Sequence, residues 1–165
     1  MSLFRNPRQS NLIGFLTCVG LMAYALFAQY GLKLEPCPLC VFQRVAVIVL
    51  GLIFLIAALH NPGPTGRRVY GGLEALAAAG GAGVAARHVW LQNLPPDQVP
   101  ACGPGLDFMM DTFGIGKVIR MVLSGSGECA DISWSFLGLS MPAWVLIACT
   151  VLGFYALWVN WRQAD

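Results

Sequence analysis

The chain has 165 residues, of which 57% are hydrophobic and 11% charged, with a formal net charge of +2. A soluble domain carries nearer a quarter charged residues, so lipid is the expected solvent for much of this surface. The small charge, with no basic patch bearing interleaved aromatics, excludes nucleic acid as a partner, and the length fits a single domain over 1–165.

A spanning helix needs about 20 mostly apolar residues, and four segments reach or approach that length. The first, about 12–30, is uncharged. Arg5 and Arg8 precede it as they would in a signal peptide, but its apolar run exceeds the usual core of about 7–15 residues, which favours a retained anchor. The short loop 31–40 leads to the second span, about 41–59, whose one charge is Arg44 near its start. His60-Asn-Pro-Gly-Pro-Thr-Gly66 reads as a tight turn. The third span, about 69–91, holds Glu74 near one end and Arg87 and His88 near the other. Its Ala75, Ala79 and Gly83 recur every four residues, surrounded by Gly71, Gly72, Gly80 and Gly81, a pattern that predicts close helix packing. Glu74 is expected in interfacial packing and Arg87 at the lipid headgroups.

The long loop 92–142 has three parts. Residues 94–105 are proline-rich and predicted to be extended and exposed, because proline fixes φ and removes a donor. Ile115, Val118, Ile119, Val122 and Leu123 follow helical spacing with Lys117 and Arg120 facing away, which predicts a short amphipathic helix on the membrane surface. Ser124-Gly-Ser-Gly127 is a flexible turn before Cys129. The fourth span, about 143–159, is uncharged. The predicted fold is an all-α membrane protein, a bundle of four transmembrane helices with one long outer loop.

Lysine and arginine near helix ends set orientation. Arg5, Arg8, Arg67, Arg68 and Arg162 fall on one side, and Lys33, Lys117 and Arg120 on the other. Both termini are therefore predicted to be cytoplasmic, and the loops 31–40 and 92–142 to face outward.

Cys37, Cys40, Cys102 and Cys129 belong to those outer loops, whereas Cys18 and Cys149 lie within helices and read as small buried hydrophobes. Cys37-Pro-Leu-Cys40 sits where the second helix begins. Free N–H groups and the positive dipole end favour a thiolate there, C-x-x-C pairing favours it further, and Pro38 suits a first helical turn. A passive staple is a poor alternative, since so short a loop closes little unfolded-state entropy. Taken alone, Cys102 and Cys129 fit a stabilising disulfide as well as a redox pair. The exposed segment around Cys102 and the flexible turn before Cys129 favour exchange.

Arg44 lies one turn after Cys40 on the same helix face, and intramembrane ionisable residues are functional candidates. The bland alternative is an arginine that snorkels to the interface. His88 is predicted at a similar depth, and either side chain is placed to donate to a carbonyl oxygen beside Cys40.

Glu35-Pro-Cys-Pro-Leu-Cys-Val-Phe-Gln-Arg44, the paired cysteines of the long loop, Ser126-Gly-Glu-Cys-Ala130, and Trp134-Ser-Phe-Leu-Gly-Leu-Ser-Met-Pro-Ala-Trp144 together resemble the disulfide bond formation protein B family. The resemblance covers nearly the whole chain. It implies a multi-pass bacterial inner-membrane oxidoreductase that reoxidises a periplasmic DsbA-type oxidase of thioredoxin fold. Electrons would pass from Cys102 and Cys129 to Cys37 and Cys40, then to ubiquinone or menaquinone from the membrane pool. It further implies that Cys102 joins the partner, Cys129 resolves that bond, Cys37 receives the exchange, and Cys40 faces the quinone beside Arg44 and His88. Trp134 falls where the family has an aromatic near that site. Some members carry an acidic residue where this chain has Gln43.

The redox scale agrees with an electron sink of this kind. A DsbA-type oxidase stands near −120 mV and ordinary structural disulfides below about −300 mV, a gap of roughly 180 mV or 8 kcal/mol. The sequence has no dinucleotide fingerprint, haem-attachment motif or iron–sulfur spacing to serve as that sink. Two alternatives are a vitamin K epoxide reductase-like enzyme, whose C-x-x-C lies late in the chain instead of early, and a Cu(I)-binding membrane protein using Cys37, Cys40 and methionines such as Met109, Met110 and Met121. A third is a scaffold with stapled loops. No resident metal is expected.

Overall fold

The computed structural model describes residues 6–103 and 105–162; Arg5, counted above for orientation, lies outside the described residues. Among the described residues four long helices form a bundle: α1 (Pro7–Tyr30), α2 (Pro38–His60), α3 (Pro64–Gln92) and, after the long loop, α6 (Met141–Arg162). All four are long and apolar enough to cross a membrane, and the chain is a multi-pass membrane protein. α1 packs on α2, α2 on α3, α3 on α6, and α6 closes the ring on α1.

The helices begin earlier than hydropathy alone predicts, and the reason is local. Pro7, Pro38 and Pro64 each open a helix. Proline's missing N–H is an orphan in the first turn anyway, and its fixed φ already suits a helix. The first outer loop therefore ends at Cys37, and Cys40 belongs to the first turn of α2.

Small residues set the spacing between helices. A Cβ on Gly14 of α1 would lie 2.8 Å from the ring of Phe54, which is fully buried in α2. Between α3 and α6 the same happens at Gly71, 2.8 Å from Asn160 Cβ, and at Gly81, 3.0 Å from Cys149 Sγ. The packed face of α3 is Gly71, Glu74, Ala78, Gly81, Ala85 and His88. That corrects the sequence expectation: Ala79 and Gly83 point outward, and it is a neighbouring row of small residues that meets α6. Both rows satisfy small-residue spacing, and only the partner helix decides between them. Cys18 and Cys149 sit in the bundle core with Val47, Leu50, Phe54 and Ala78, as expected of buried hydrophobes. Large apolar side chains such as Leu16, Phe27, Leu76 and Phe154 face outward, which lipid accommodates and water would not.

Glu74 is a second correction. It is fully buried, not interfacial: its Oε2 accepts from Asn160 Nδ2 at 2.8 Å, and Asn160 exchanges two hydrogen bonds of 3.2 Å with Asn11 of α1. This polar tie joins α1, α3 and α6 near the end of the bundle that carries both termini, where Tyr155 Oη also donates to the carbonyl of Ser10.

The long loop is more ordered than its sequence suggests. The proline-rich stretch contains one 3-10 turn at Pro96–Gln98. α4 (Leu106–Thr112) follows, then α5 (Ile115–Ser124), the expected amphipathic helix, with Val118 and Val122 turned inward and Ile115 exposed. Arg87 is not simply a headgroup anchor. Its Nε and Nη2 donate to the carbonyls of Leu123 and Ser124 at 3.1 and 2.9 Å, satisfying the open C-terminus of α5. A two-stranded hairpin, β1 (Ser135–Phe136) and β2 (Leu139–Ser140), turns through Leu137 and Gly138, both at positive φ, and feeds directly into α6.

Candidate functional site

The site lies at the end of the bundle opposite Arg8, Arg67, Arg68 and Arg162, where three separately positioned pieces converge. The first is the start of α2. Cys37 is its N-cap, and its sulfur accepts the backbone N–H of Cys40 at 3.4 Å. The positive end of α2 therefore faces this sulfur. Cys40 Sγ lies 3.2 Å away, so bond formation between the two needs only a small side-chain movement.

The second piece is the last full turn of α3. His88 is 2% exposed, with Nε2 3.7 Å from Cys37 Sγ and Nδ1 2.9 Å from Gln43 Nε2. With the glutamine amide oriented to donate to Nδ1, the matching neutral tautomer carries its proton on Nε2, on the side of the sulfur. Sequence reasoning placed His88 to donate to a carbonyl oxygen beside Cys40; in the structure it borders the same cavity as Cys40, and its Nε2 faces Cys37 Sγ. Gln43, noted before only as a departure from an acidic residue, is the group that orients it.

The third piece is the 3-10 turn Gly127–Cys129. It brings Cys129 Sγ, Cys37 Sγ and a His88 ring nitrogen within 4.8 Å of one another. Cys129 is 1% exposed, and its thiol is pushed up from its ordinary range, first by the hydrogen bond it shares with Cys37 and then by burial. A thiol held high attacks strongly once deprotonated. Cys102 is exposed on the segment running alongside, and only glycine permits that approach: a Cβ on Gly127 would lie 2.9 Å from the carbonyl of Pro100 and 3.2 Å from Cys102 Sγ. The four loop cysteines thus run from an exposed sulfur to a buried one, then to the pair at the head of α2.

Beyond Cys40 lies a cavity of about 510 Å³ between α1, α2 and α6, roofed by the segment before β1. Its walls are mainly apolar, among them Leu21, Met22, Val47 and Val145; Cys40, Gln43, Arg44 and His88 are polar groups of its wall, and the acids Glu35, Glu128 and Asp131 also border it. Arg44 is held in place, not left to snorkel: Nη1 donates to Gln29 Oε1 and Nη2 to the carbonyl of Ala25 at 3.2 Å, both on α1. Trp134 closes one side, edge-on to Tyr24 at 5.9 Å and stacked on Phe136 at 6.2 Å. The hairpin is pinned above by Trp144 Nε1 to the carbonyl of Phe136 and by Ser140 Oγ to Gln92 Oε1.

Comparison with known proteins shows which family the chain falls in. A family model described as "Disulfide bond formation protein DsbB" matches residues 7–159. The chain belongs to this family. Proteins named "Disulfide bond formation protein B" are similar along nearly their whole length: one from Chromobacterium violaceum is 51% identical over 163 residues, covering 99% of this chain and 98% of its own. One from Hahella chejuensis is 54% identical over 144 residues, 87% of this chain and 86% of its own. One from Xanthomonas campestris is 50% identical over 157 residues, 94% and 91% respectively. The family name supports disulfide bond formation as the activity.

The burial order gives a test of its own. In the folded, reduced protein a membrane-impermeant maleimide is expected to label Cys102 quickly, Cys37 and Cys40 slowly, and Cys129, Cys18 and Cys149 only after denaturation. The order is finer than the sequence expectation, which places all four in outward-facing loops. Mass spectrometry of the labelled peptides reads the order, and rapid labelling of Cys129 would contradict its burial.

Proposed function

We propose that this chain is a protein dithiol:quinone oxidoreductase of the bacterial inner membrane, with both termini cytoplasmic, that reoxidises a DsbA-type thioredoxin-fold partner on the outer side. The observation that carries the proposal is the graded line of sulfurs ending at a cavity with a fixed arginine.

The exchange proceeds in balanced steps. A partner thiolate attacks Cys102 of a Cys102–Cys129 disulfide; a partner–Cys102 bond forms and Cys129 leaves as a thiolate. The second partner thiol then attacks its own sulfur in that bond, which releases an oxidised partner and a Cys102 thiol. Cys129 attacks Cys37 of a Cys37–Cys40 disulfide, forming a Cys37–Cys129 bond and freeing Cys40 as a thiolate. Cys102 attacks Cys129 in turn, which restores the loop disulfide and leaves Cys37 and Cys40 reduced. The His88 Nε2 proton faces the sulfur on which bonds are made and broken, and Gln43 keeps it aimed there.

The cavity fits a quinone head. Its volume lies in the range of small-molecule sites, about 300–1,000 Å³, and its lining is largely apolar with a few fixed polar groups. Arg44, Cys40 and Trp134 would hold the ring. When bound, a quinone supplies an acceptor for two electrons and two protons. Arg44 keeps a positive charge where negative charge develops, at no reorganisation cost because Gln29 and Ala25 already fix it. Trp134, Phe136 and Trp144 give that side of the cavity an apolar aromatic wall, which lowers the local dielectric and strengthens that charge effect.

A Cys37→Ala variant tests the assignment of Cys40. It leaves Cys40 facing the cavity with no partner for a disulfide. Added quinone is expected to give a new visible absorption that bleaches on acidification, as the thiolate protonates, and that is absent from a Cys37→Ala/Arg44→Ala double variant. An unchanged spectrum in Cys37→Ala would count against quinone in this cavity.

A further inference from the structure

We propose that the fully reduced protein binds one zinc-class divalent cation at Cys37, His88 and Cys129, and that the bound ion arrests the thiol relay. The three ligand atoms lie within 4.8 Å of one another, and Cys37 Sγ and His88 Nε2 are 3.7 Å apart. In a tetrahedral zinc site, with Zn–S about 2.3 Å and Zn–N about 2.0–2.1 Å, ligand edges are about 3.5 Å from sulfur to nitrogen and about 3.8 Å between sulfurs. The pocket is thus close to the required size, and only a small contraction separates it from a metal site.

Three features fit such an ion. The ligands come from three independently anchored elements, the cap of α2, the end of α3 and the 3-10 turn at 127–129, and His88 and Cys129 are buried. Cys40 Sγ, 3.2 Å from Cys37 Sγ, is on hand for the fourth corner, and C-x-x-C is a common zinc-ligand spacing. Gln43 contacts the other ring nitrogen of His88, the position that outer partners of metal-bound histidines occupy. By turning its amide over, glutamine can donate to a bare Nδ1 while Nε2 holds the proton, or accept from Nδ1–H while Nε2 holds a metal. A carboxylate could only accept. Two thiolates and an imidazole select borderline or soft cations such as zinc over magnesium or calcium.

Binding requires thiols. A Cys37–Cys40 or Cys102–Cys129 disulfide removes a ligand, so the oxidised protein is excluded. Capture of one cation by Cys37, Cys129 and neutral His88 releases the two thiol protons. With both sulfurs on the ion, Cys129 cannot attack Cys37. The site is a property of the reduced thiols and stands whether or not a quinone is the final acceptor.

The test uses the full-length protein in detergent, reduced and without added quinone, titrated anaerobically with Co²⁺ as a spectroscopic stand-in for zinc. The intense visible bands of tetrahedral, thiolate-bound cobalt should saturate at one ion per chain, vanish on adding Zn²⁺, and be absent from the oxidised protein. Cys129→Ser and His88→Ala should each weaken binding at least about a hundredfold, and Gln43→Leu by about 10–100-fold. A Cys18→Ser/Cys149→Ser double variant should bind as the parent does. The proposal is overturned if the reduced parent gives no tetrahedral bands, if the oxidised protein gives the same ones, or if they keep full strength and affinity in both Cys129→Ser and His88→Ala.

Discussion

Replacing Cys129 by alanine is expected to stop turnover with a reduced partner, by at least about a thousandfold, because the variant loses a member of a unit that acts together. Cys129 has this weight because it is the loop cysteine whose sulfur lies within 4.8 Å of Cys37, whereas Cys102 is exposed on the segment outside it. The same variant should also trap its partner. Given a partner that keeps only one of its two exchange cysteines, supplied as an activated mixed disulfide, Cys102 forms a protein–protein disulfide. Neither a second partner thiol nor Cys129 is then present to break that bond, so the adduct should persist where that of the parent decays. Cys102→Ala should form none, since the sulfur that remains is buried. Non-reducing gels followed by peptide mass spectrometry decide the matter. An adduct through Cys37 or Cys40, or turnover within tenfold of the parent, would reverse the proposed direction of electron flow.

Arg44→Ala is expected to separate the two halves of the reaction. Exchange among the cysteines and with the partner needs no charge in the cavity and should proceed at nearly the parent rate. Quinone-dependent reoxidation of Cys37 and Cys40 should fall by about a hundredfold or more, as when a preorganised donor to developing negative charge is removed. Arg44→Lys should recover only part of this. Lysine keeps the charge but loses the planar fork that lets one side chain bond both Gln29 and the Ala25 carbonyl. Stopped-flow measurement of the two half-reactions resolves them, and parent-like quinone kinetics in Arg44→Ala would remove the arginine from the site.

What was legible in the sequence was whatever a single segment decides. Length and hydropathy give the four spans, the C-x-x-C gives the head of α2, and the apolar spacing from Ile115 gives α5. The misses came from two sources. Some local signals lie outside the apolar runs: Pro7 and Pro64, which open helices, Leu106, Met109, Met110 and Phe113 at the spacing of α4, and Gly138 in the hairpin turn. Other features depend on contacts between distant segments, which no window contains. Glu74 became a buried tie only because Asn160 and Asn11 meet it. Arg87 became the cap of α5 only because Leu123 and Ser124 fold back over α3. His88 faces Cys37, with Gln43 behind it, because α3 packs on α2 and brings together residues far apart in sequence.

The central claim is that electrons reaching Cys37 and Cys40 leave through a quinone in the cavity beside Arg44. The most direct measurement is to purify the intact protein from membranes, quantify co-purifying quinone, and add a reduced thioredoxin-fold partner while following quinone absorbance and partner thiols together. One quinone reduced for each partner dithiol oxidised, with both changes lost in Cys40→Ser, is the predicted result. Continued oxidation of the partner with quinone present but unchanged would contradict the account.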